Sequence, residues 1–297
     1  MVLICGTIPQ EDFPLTIGQV KFSGKTLIIN EKEVSCMQGT AALISAACIT
    51  AEYLGEEPPQ ALLAGDRGKG KGSRLLYEYL SKNLPDLAPN VLVLHYILPV
   101  MGLMRKVSES AEKCRRKPIM IADASSMYAA KAAGLAPNFD IFTPDPSEIA
   151  FLADSDATHP AYISRHLFNS DITKTSELAA KAYQDKNAAR LLLVKGSVDH
   201  IVEEGKIIET ISEPDIPELE AIGGTGDTIT GMVAAFVSAG LDLREAAILA
   251  ARANRMAGKY ARATPATRIR EIIARFPDVF RENLCAWSGV CYSSDKR

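Results

Sequence analysis

The chain has no excess of basic residues, no long apolar run and no repeated or low-complexity segment. Lys and Arg number 33 against 36 Asp and Glu, a formal net charge of −3, which argues against a nucleic-acid-binding scaffold. The longest apolar stretch, residues 91–104, is broken by His95 and Pro99 and is shorter than the roughly 18 residues of a membrane span. The chain also starts without the basic region of a signal peptide. We therefore expect a cytoplasmic protein with a small-molecule partner, no nucleic acid and no membrane contact.

Metal-binding and disulfide patterns are also missing. The cysteines are scattered among apolar neighbours without a paired CxxC spacing, so buried, reduced thiols are favoured over zinc ligands or disulfides. The four histidines show no metal-ligand spacing, and we assign none of them a catalytic role. The cysteines are Cys5, Cys36, Cys48, Cys114, Cys285 and Cys291.

Short apolar runs alternate with segments of helical periodicity. Continuously apolar runs are typical of buried parallel strands, and they lie at residues 26–29, 91–94, 119–122, 140–143 and 191–194. Helical spacing of apolar residues lies at residues 38–53, 73–83, 100–115, 126–134 and 173–185. Strand followed by helix, repeated, predicts an α/β fold with a doubly wound, mostly parallel sheet.

The order of elements changes after residue 194. Residues 200–202 and 206–209 are predicted to form a small antiparallel hairpin, followed by helices at 226–239, 243–261 and 265–276. No linker divides the chain, so we predict one nucleotide-binding catalytic domain, residues 1–267, with an extension, residues 268–297, packed on it. We also expect a homo-oligomer.

The sharpest local feature is a glycine-rich turn, residues 222–231, that opens into an apolar helix. Main-chain amides at such a turn, together with the helix dipole, favour an anion such as a transferring phosphoryl group. We expect the amides of Gly224, Thr225 and Gly226 to form this site. Asp227, in the first helical turn, would take the proton from a substrate hydroxyl. The alternative is that Asp227 only complements the helix dipole and the glycines only form a tight turn.

A second feature, residues 143–148, follows a predicted strand and leads into a helix. Ligands of open α/β sheets bind at the carboxyl ends of strands. Asp145 and Glu148 are therefore candidate ligands for Mg²⁺, which is usually held by one or two carboxylates and substrate phosphates. The alternative is a helix cap, with Asp145 or Ser147 as the capping residue and Glu148 in the first turn.

Three further segments carry weaker signals. Lys195, Gly196 and Ser197 end a strand, where the cation would meet a nucleotide phosphate. Asp123 also ends a predicted strand and would either contact substrate or cap the helix that starts near residue 126. Residues 65–73 alternate glycine with cations before a helix, but they do not resemble a Walker A sequence and no strand clearly precedes them. This segment is either a mobile anion-binding lid or a flexible solvated loop.

Taken in this order, the motifs over residues 20–264 resemble the ribokinase-like superfamily, and within it most closely the NAD(P)H-hydrate dehydratase family. The turn at 223–227 and the helix that follows carry the most specific part of this resemblance. The resemblance implies a three-layer α/β/α fold, with Asp227 as the catalytic base and Gly226 as a nucleotide contact. It further implies that Lys195, Gly196 and Ser197 lie against the nucleotide, which is ATP or ADP used with Mg²⁺.

The resemblance also implies a substrate site. Residues 38–42 look like the glycine-alanine segment of the family near the hydrated dinucleotide, so Gly39, Thr40 and Ala41 are expected at the substrate, together with Asp123 and Asp145. Two departures stand out. The family's Thr-Pro-His-Pro-Gly-Glu reads here with Asp145 and Ser147 in the histidine and glycine places, and the family's Gly-Pro-Gly-Leu-Gly turn has no equivalent after residue 94.

These observations leave three functions open. The first is an ATP- or ADP-dependent NAD(P)H-hydrate dehydratase, which phosphorylates the hydroxyl of the hydrated ring and eliminates phosphate. The second is a ribokinase-like kinase of a sugar or vitamin precursor, because residues 143–148 also look like the Thr-Pro-Asn-x-x-Glu of such kinases. The third is a nucleotide-binding sensor without catalysis, against which the intact Asp227 argues.

Overall fold

The computed structural model describes residues 1–157 and 175–289. This part of the chain is organised in two compact units. The first unit comprises Met1–Gly18 and Gln60–Thr210, and the second comprises Gln19–Pro59 and the residues from Ile211 onward. The prediction of a single domain ending near residue 267 stays a prediction.

A mostly parallel sheet runs through the first unit. Its strands, numbered along the whole chain, are β1 (Val2–Ile8), β5 (Gln60–Gly65), β6 (Val91–His95), β7 (Ile119–Asp123), β8 (Ile141–Phe142), β9 (Leu191–Val194), β10 (Asp199–Glu203) and β11 (Lys206–Ile211). They lie in the order β5-β1-β6-β7-β8-β9-β10-β11. The pairs from β5 to β9 are parallel, and β10 is antiparallel to β9. The carboxyl ends of the parallel strands therefore lie at one edge, where open α/β sheets bind ligands.

The helices of the first unit follow from their apolar spacing. In the helix that begins at Lys71, for example, Leu76, Leu80 and Leu84 recur every four residues and are all fully buried. The parallel strands are buried on both faces, as in β6, where all five residues are buried. The helices are α2 (Lys71–Leu87), α3 (Met101–Glu112), α4 (Ser125–Ala132), α5 (Pro146–Ala153) and α6 (Thr175–Gln184).

In its described residues, the second unit combines a small antiparallel sheet with five helices. Its strands are β2 (Thr16–Phe22), β3 (Thr26–Ile29) and β4 (Lys32–Ser35), and its helices are α1 (Thr40–Leu54), α7 (Thr225–Ser238), α8 (Leu243–Ala261), α9 (Ile269–Ile273) and α10 (Phe276–Ser288). Helices α1 and α7 approach very closely, because a Cβ atom on Gly231 would lie 2.1 Å from the carbonyl oxygen of Leu43. Only glycine fits at that point of α7.

The α/β fold with a mostly parallel sheet and a small antiparallel hairpin is confirmed, but three details of the prediction are wrong. The run at 26–29 is not a parallel strand, since β3 pairs antiparallel with β2 and β4; four apolar residues cannot distinguish the two arrangements. The last predicted helix, 265–276, is reduced to the five residues of α9, and α10 starts separately at Phe276. Strand β5 was also missed, and it leads directly into the glycine-cation segment at 65–73.

The cysteine prediction holds for four residues and fails for one. Cys5, Cys36, Cys48 and Cys114 are free and buried. Cys285 is instead disulfide-bonded. It is exposed on α10, so the prediction of burial from its apolar sequence neighbours is wrong. Cys291 and the first two residues of the helix predicted at 173–185 lie outside the described residues. Across residues 1–157 and 175–289, no helix is both long and apolar enough to span a bilayer.

Candidate active site

The glycine turn of the second unit leads into α7 as predicted. Gly224 is the N-cap of the helix, with φ +106°, and Asp227 lies in the first turn. Residues 224–227 are all half-buried, so this corner is partly open to solvent. An open helix N-terminus with positive dipole charge can accept an anion.

The glycines of this turn are required by packing as well as by backbone conformation. A Cβ atom on Gly223 would lie 2.1 Å from Oε1 of Gln38, and one on Gly224 would lie 2.9 Å from Cγ1 of Ile269. At φ +106°, Gly224 also has a backbone conformation that other residues rarely adopt. The tight-turn interpretation therefore accounts for the glycines, while the use of the amides as an anion site stays a prediction.

Main-chain amides at the turn are largely without internal partners. The amide of Thr225 donates to the carbonyl of Ile222 over a long 3.4 Å. Within the part of the chain that the structure describes, the amides of Gly224 and Gly226 form no hydrogen bond. The Thr225 hydroxyl donates to the carbonyls of Leu219 and Ile222, each at 3.1 Å, which holds the turn in place.

Asp227 is positioned by α1, a contact that the sequence did not predict. Its Oδ2 accepts a hydrogen bond of 2.7 Å from the amide of Gly39, which is the N-cap of α1. A carboxylate that accepts a hydrogen bond from a main-chain amide has a defined orientation and can still accept a proton. Gly39 was predicted at the substrate, and the structure gives it a contact with the candidate base. Thr40 and Ala41, the neighbouring predicted residues, are buried at 2% and 5% exposure.

In the first unit, three titratable side chains meet at the carboxyl ends of β6, β7 and β9. Asp123 is buried at the end of β7 and is paired in register with His95, the last residue of β6. The ammonium group of Lys195, directly after β9, lies 2.9 and 3.0 Å from the two carboxylate oxygens of Asp123. His95 Nε2 lies 3.9 Å from Asp123 Oδ2. Lys195 is thus bonded to a carboxylate, and its predicted nucleotide contact stays a prediction.

The interpretation of Asp123 as a helix cap is wrong. Helix α4 has Ala124 as its N-cap, with no side-chain cap, and the Asp123 carboxylate accepts instead from Lys195 and from the amide of Ala124. Asp123 is the last residue of β7 and α4 starts at Ser125, so the N-cap position falls on Ala124 and not on Asp123.

The capping interpretation of residues 145–148 is confirmed. Asp145 Oδ1 accepts the amides of Ser147 and Glu148, and Glu148 Oε2 accepts the amide of Asp145, which is a complete capping box. These bonds use Oδ1 of Asp145 and Oε2 of Glu148. Burial, followed by the nearby carboxylates of Asp145 and Asp123, raises the pKa of Glu148 well above its usual value.

This donor set suits a divalent cation, because crowded carboxylates are stabilised when a cation sits among them. The assignment of Mg²⁺ to Asp145 and Glu148 therefore fits the chemistry of the site and stays a proposal. The turn after β9 is held internally, since the amide of Gly196 donates to Asp199 at 3.1 Å. Ser197 is exposed beside it.

His95 is the residue of this cluster that sequence reasoning passed over. It is completely buried, and its ring packs edge-to-face against Tyr96 with centroids 4.4 Å apart. The feature that could have identified His95 is its position as the last residue of an apolar strand. That strand lies next to the strand that ends in Asp123. Spacing along the sequence cannot reveal that neighbourhood, because residues 95 and 123 are brought together by strand pairing.

Comparison with solved structures defines the class of the fold. An ADP/ATP-dependent NAD(P)H-hydrate dehydratase from Bacillus subtilis, co-crystallised with ATP and Mg²⁺, matches 95% of this chain and 89% of its own chain, with a TM-score of 0.56 and 13% identity. This is the ribokinase-like α/β fold that the sequence motifs resemble.

Sequence comparison then gives the family. The family model described as NAD(P)H-hydrate dehydratase matches residues 99–275, and the chain belongs to this family of enzymes. An uncharacterised protein of Methanocaldococcus jannaschii is 38% identical over 242 residues, which is 82% of this chain and 100% of that protein. A bifunctional NAD(P)H-hydrate repair enzyme of Pyrobaculum aerophilum is 29% identical over 219 residues, 71% of this chain and 40% of that enzyme.

Proposed function

We propose that this protein is an ATP- or ADP-dependent NAD(P)H-hydrate dehydratase. The observation that carries the proposal is the half-exposed turn before α7, where Asp227 is fixed by the Gly39 amide beside two main-chain amides without internal partners. Family membership supports the substrate, a hydrated NADH or NADPH, and the named nucleotide dependence of the Bacillus subtilis structure supports the phosphoryl donor.

In the proposed reaction, the carboxylate of Asp227 removes the proton from the hydroxyl on the hydrated nicotinamide ring. The oxygen attacks the terminal phosphorus of the nucleotide, and the bond to the leaving nucleotide breaks. The amides of Gly224 and Gly226 stabilise the charge that develops on the transferring group. The carbon–oxygen bond of the phosphorylated ring then breaks with release of phosphate, the ring nitrogen supplies electrons, and loss of a proton from the adjacent carbon restores the double bond.

Mg²⁺ would be held by Asp145 and Glu148, where it would neutralise phosphate charge. Asp145 and Glu148 themselves hold the start of α5 through their capping box. Because Glu148 has both roles, a change at Glu148 is expected to raise the metal requirement and to destabilise the first turn of α5.

The direct test is to incubate the protein with hydrated NADH and either ATP or ADP and to record the absorbance of the reduced ring. Recovery of the absorbance that depends on nucleotide supports the dehydratase. Absence of recovery with either nucleotide, in a sample shown to be folded by circular dichroism, contradicts it.

The role of Asp227 is tested by Asp227→Asn. We expect turnover to fall by about 10²- to 10⁴-fold with little change in nucleotide affinity, because the base acts in the transition state. Glu245→Gln is the matched control, since Glu245 is an acidic residue in the first turn of α8 in the same unit. If both variants lose the same modest activity, Asp227 only complements the helix dipole.

A kinase that stops after phosphorylation is the second candidate, and Asp145 is the observation in its favour. The Asp145 side chain caps α5 through its own oxygen, in the place where the family carries histidine. The same incubation separates the two functions. Phosphorylated product that accumulates without recovery of absorbance favours the kinase.

A further inference from the structure

The segment between β5 and α2 forms an ordered loop with a dense set of cations. Strand β5 ends at Gly65 and α2 begins at Lys71, so the loop lies at the carboxyl edge of the parallel sheet, where α/β proteins bind ligands. Residues 65–74 contain four cations and one carboxylate. The proposed reaction uses none of them.

Asp66 organises this loop from within. Its carboxylate accepts the amides of Lys69 and Gly70, both at 2.9 Å, and the amide and hydroxyl of Ser73, both at 3.0 Å. Burial opposes the charge, but these hydrogen bonds together lower the pKa of Asp66 below its usual value. Two amides just before α2 and one in its first turn are therefore already bonded to an anion that belongs to the chain. A ligand at this loop would be bound by side chains instead.

Three glycines give the loop its backbone conformation and allow its two ends to approach each other. Gly68 and Gly70 have φ of +82° and +78°, a left-handed conformation that favours glycine. A Cβ atom on Gly72 would lie 2.3 Å from the carbonyl oxygen of Gly65, so the two ends of the loop are in contact. Ser73 also accepts the amide of Leu98 through its hydroxyl at 3.1 Å, which fastens the loop to the segment after β6. This set of contacts fits neither the mobile lid nor the flexible solvated loop that the sequence left open.

The cations are exposed on this fixed framework. Lys69 forms an exposed ion pair with Glu11 at 2.7 Å, and the guanidinium of Arg74 donates back to the carbonyl of Gly70 at 3.1 Å. Within the described residues, Arg67 and Lys71 form no ion pair. Like charges held together in this way repel each other, and a polyvalent anion relieves the repulsion.

We propose that this loop together with the first turn of α2, residues 65–74, binds the phosphate groups of a diphosphate- or triphosphate-bearing ligand. Several cations fixed on one backbone favour adjacent phosphates over a single carboxylate, because each added phosphate oxygen gains a charge-assisted hydrogen bond. Both compounds of the proposed reaction carry such a group, the nucleotide and the dinucleotide. Binding itself does not depend on turnover, so a failure of the proposed function leaves this site testable.

The test is calorimetric titration of the full-length protein with sodium pyrophosphate at low ionic strength. The loop variant is Arg67→Ala with Lys71→Ala. The control is Lys82→Ala with Lys106→Ala, which removes two exposed lysines from α2 and α3 of the same unit and changes the net charge equally. We expect saturable binding by the wild type and the control that weakens with salt, and an affinity at least about tenfold lower in the loop variant.

Equal affinity of the loop variant and the control, or no saturable binding by the wild type, would overturn the proposal. The source of the phosphates is decided by titrating the same proteins with ATP and with NADH. A selective loss for one of them in the loop variant identifies it as the ligand. Unchanged affinity for both would also overturn the proposal.

Discussion

The buried ion pair between Lys195 and Asp123 gives a quantitative prediction. Lys195 is 8% exposed and Asp123 is 1% exposed. The Lys195 ammonium group lies 2.9 and 3.0 Å from the two carboxylate oxygens of Asp123. Lys195→Met removes the cation beside the buried carboxylate of Asp123, which already contributes to the raised pKa of Glu148. Removing one partner of a buried pair typically costs about 3–5 kcal/mol, so we expect that loss in the free energy of unfolding.

A double-mutant cycle measures the interaction itself. Asp123→Asn alone is expected to be destabilising as well, because it removes the negative charge that the ammonium group contacts at 2.9 and 3.0 Å. The double variant should be less destabilised than the sum of the two single variants, with a coupling of about 2–3 kcal/mol. The assay is urea unfolding followed by circular dichroism. The control cycle is Lys117 with Glu112, an exposed ion pair that should couple by less than about 1 kcal/mol.

The reasoning is refuted if the single variants cost less than about 1 kcal/mol and add without coupling, as in the control cycle. Activity then separates the structural role of Lys195 from the nucleotide contact that the family resemblance implies. A nucleotide contact predicts that Lys195→Met raises the KM for nucleotide while Asp123→Asn leaves it unchanged.

Three further predictions concern single side chains. Gly224→Ala should lower the free energy of unfolding by about 2–4 kcal/mol, measured by urea unfolding, because it combines left-handed strain with a clash at Ile269. Burial, the main cause, lowers the pKa of Lys131 to about 8, below its value of about 10.4 in an unfolded chain. The unfolded chain therefore binds more protons between those values, and stability should rise by up to about 3 kcal/mol from pH 8 to 10.4, a rise that Lys131→Met should abolish. Glu148→Gln should raise the Mg²⁺ concentration needed for half-maximal activity.

Each of these predictions has its own control. Gly240→Ala has a similar φ of +98° without any atom within 4 Å of the added Cβ, so an equal loss in both glycine variants would remove the clash from the explanation. For Lys131, parallel pH profiles of wild type and variant would show that its amine is not the titrating group. An unchanged Mg²⁺ titration for Glu148→Gln would leave Glu148 with its capping role alone.

The parts of the fold that are predictable from sequence are those where local pattern and tertiary environment agree. Apolar runs at 91–94, 119–122 and 191–194 became parallel strands because a strand buried on both faces is apolar at every position. The helix at 243–261 was located correctly, since its apolar period and its cap at Asp242 point to the same start. The run at 26–29 failed because burial alone does not specify the direction of the partner strand.

The sequence by itself determined the turn and helix that carry Asp227, because glycine requirements and helix starts are local properties of the chain. It also specified the capping box at 145–148 as one of two alternatives, since a cap involves residues three apart. Only the tertiary structure decided that Gly39 holds Asp227, that Lys195 pairs with Asp123 beside His95, and that Asp66 fills the anion position before α2. Contacts between residues 188 and 72 positions apart depend on how strands and helices pack. The contacts of Asp66 join residues that are close in sequence, but they could be predicted only with the knowledge that strand β5 leads into the loop.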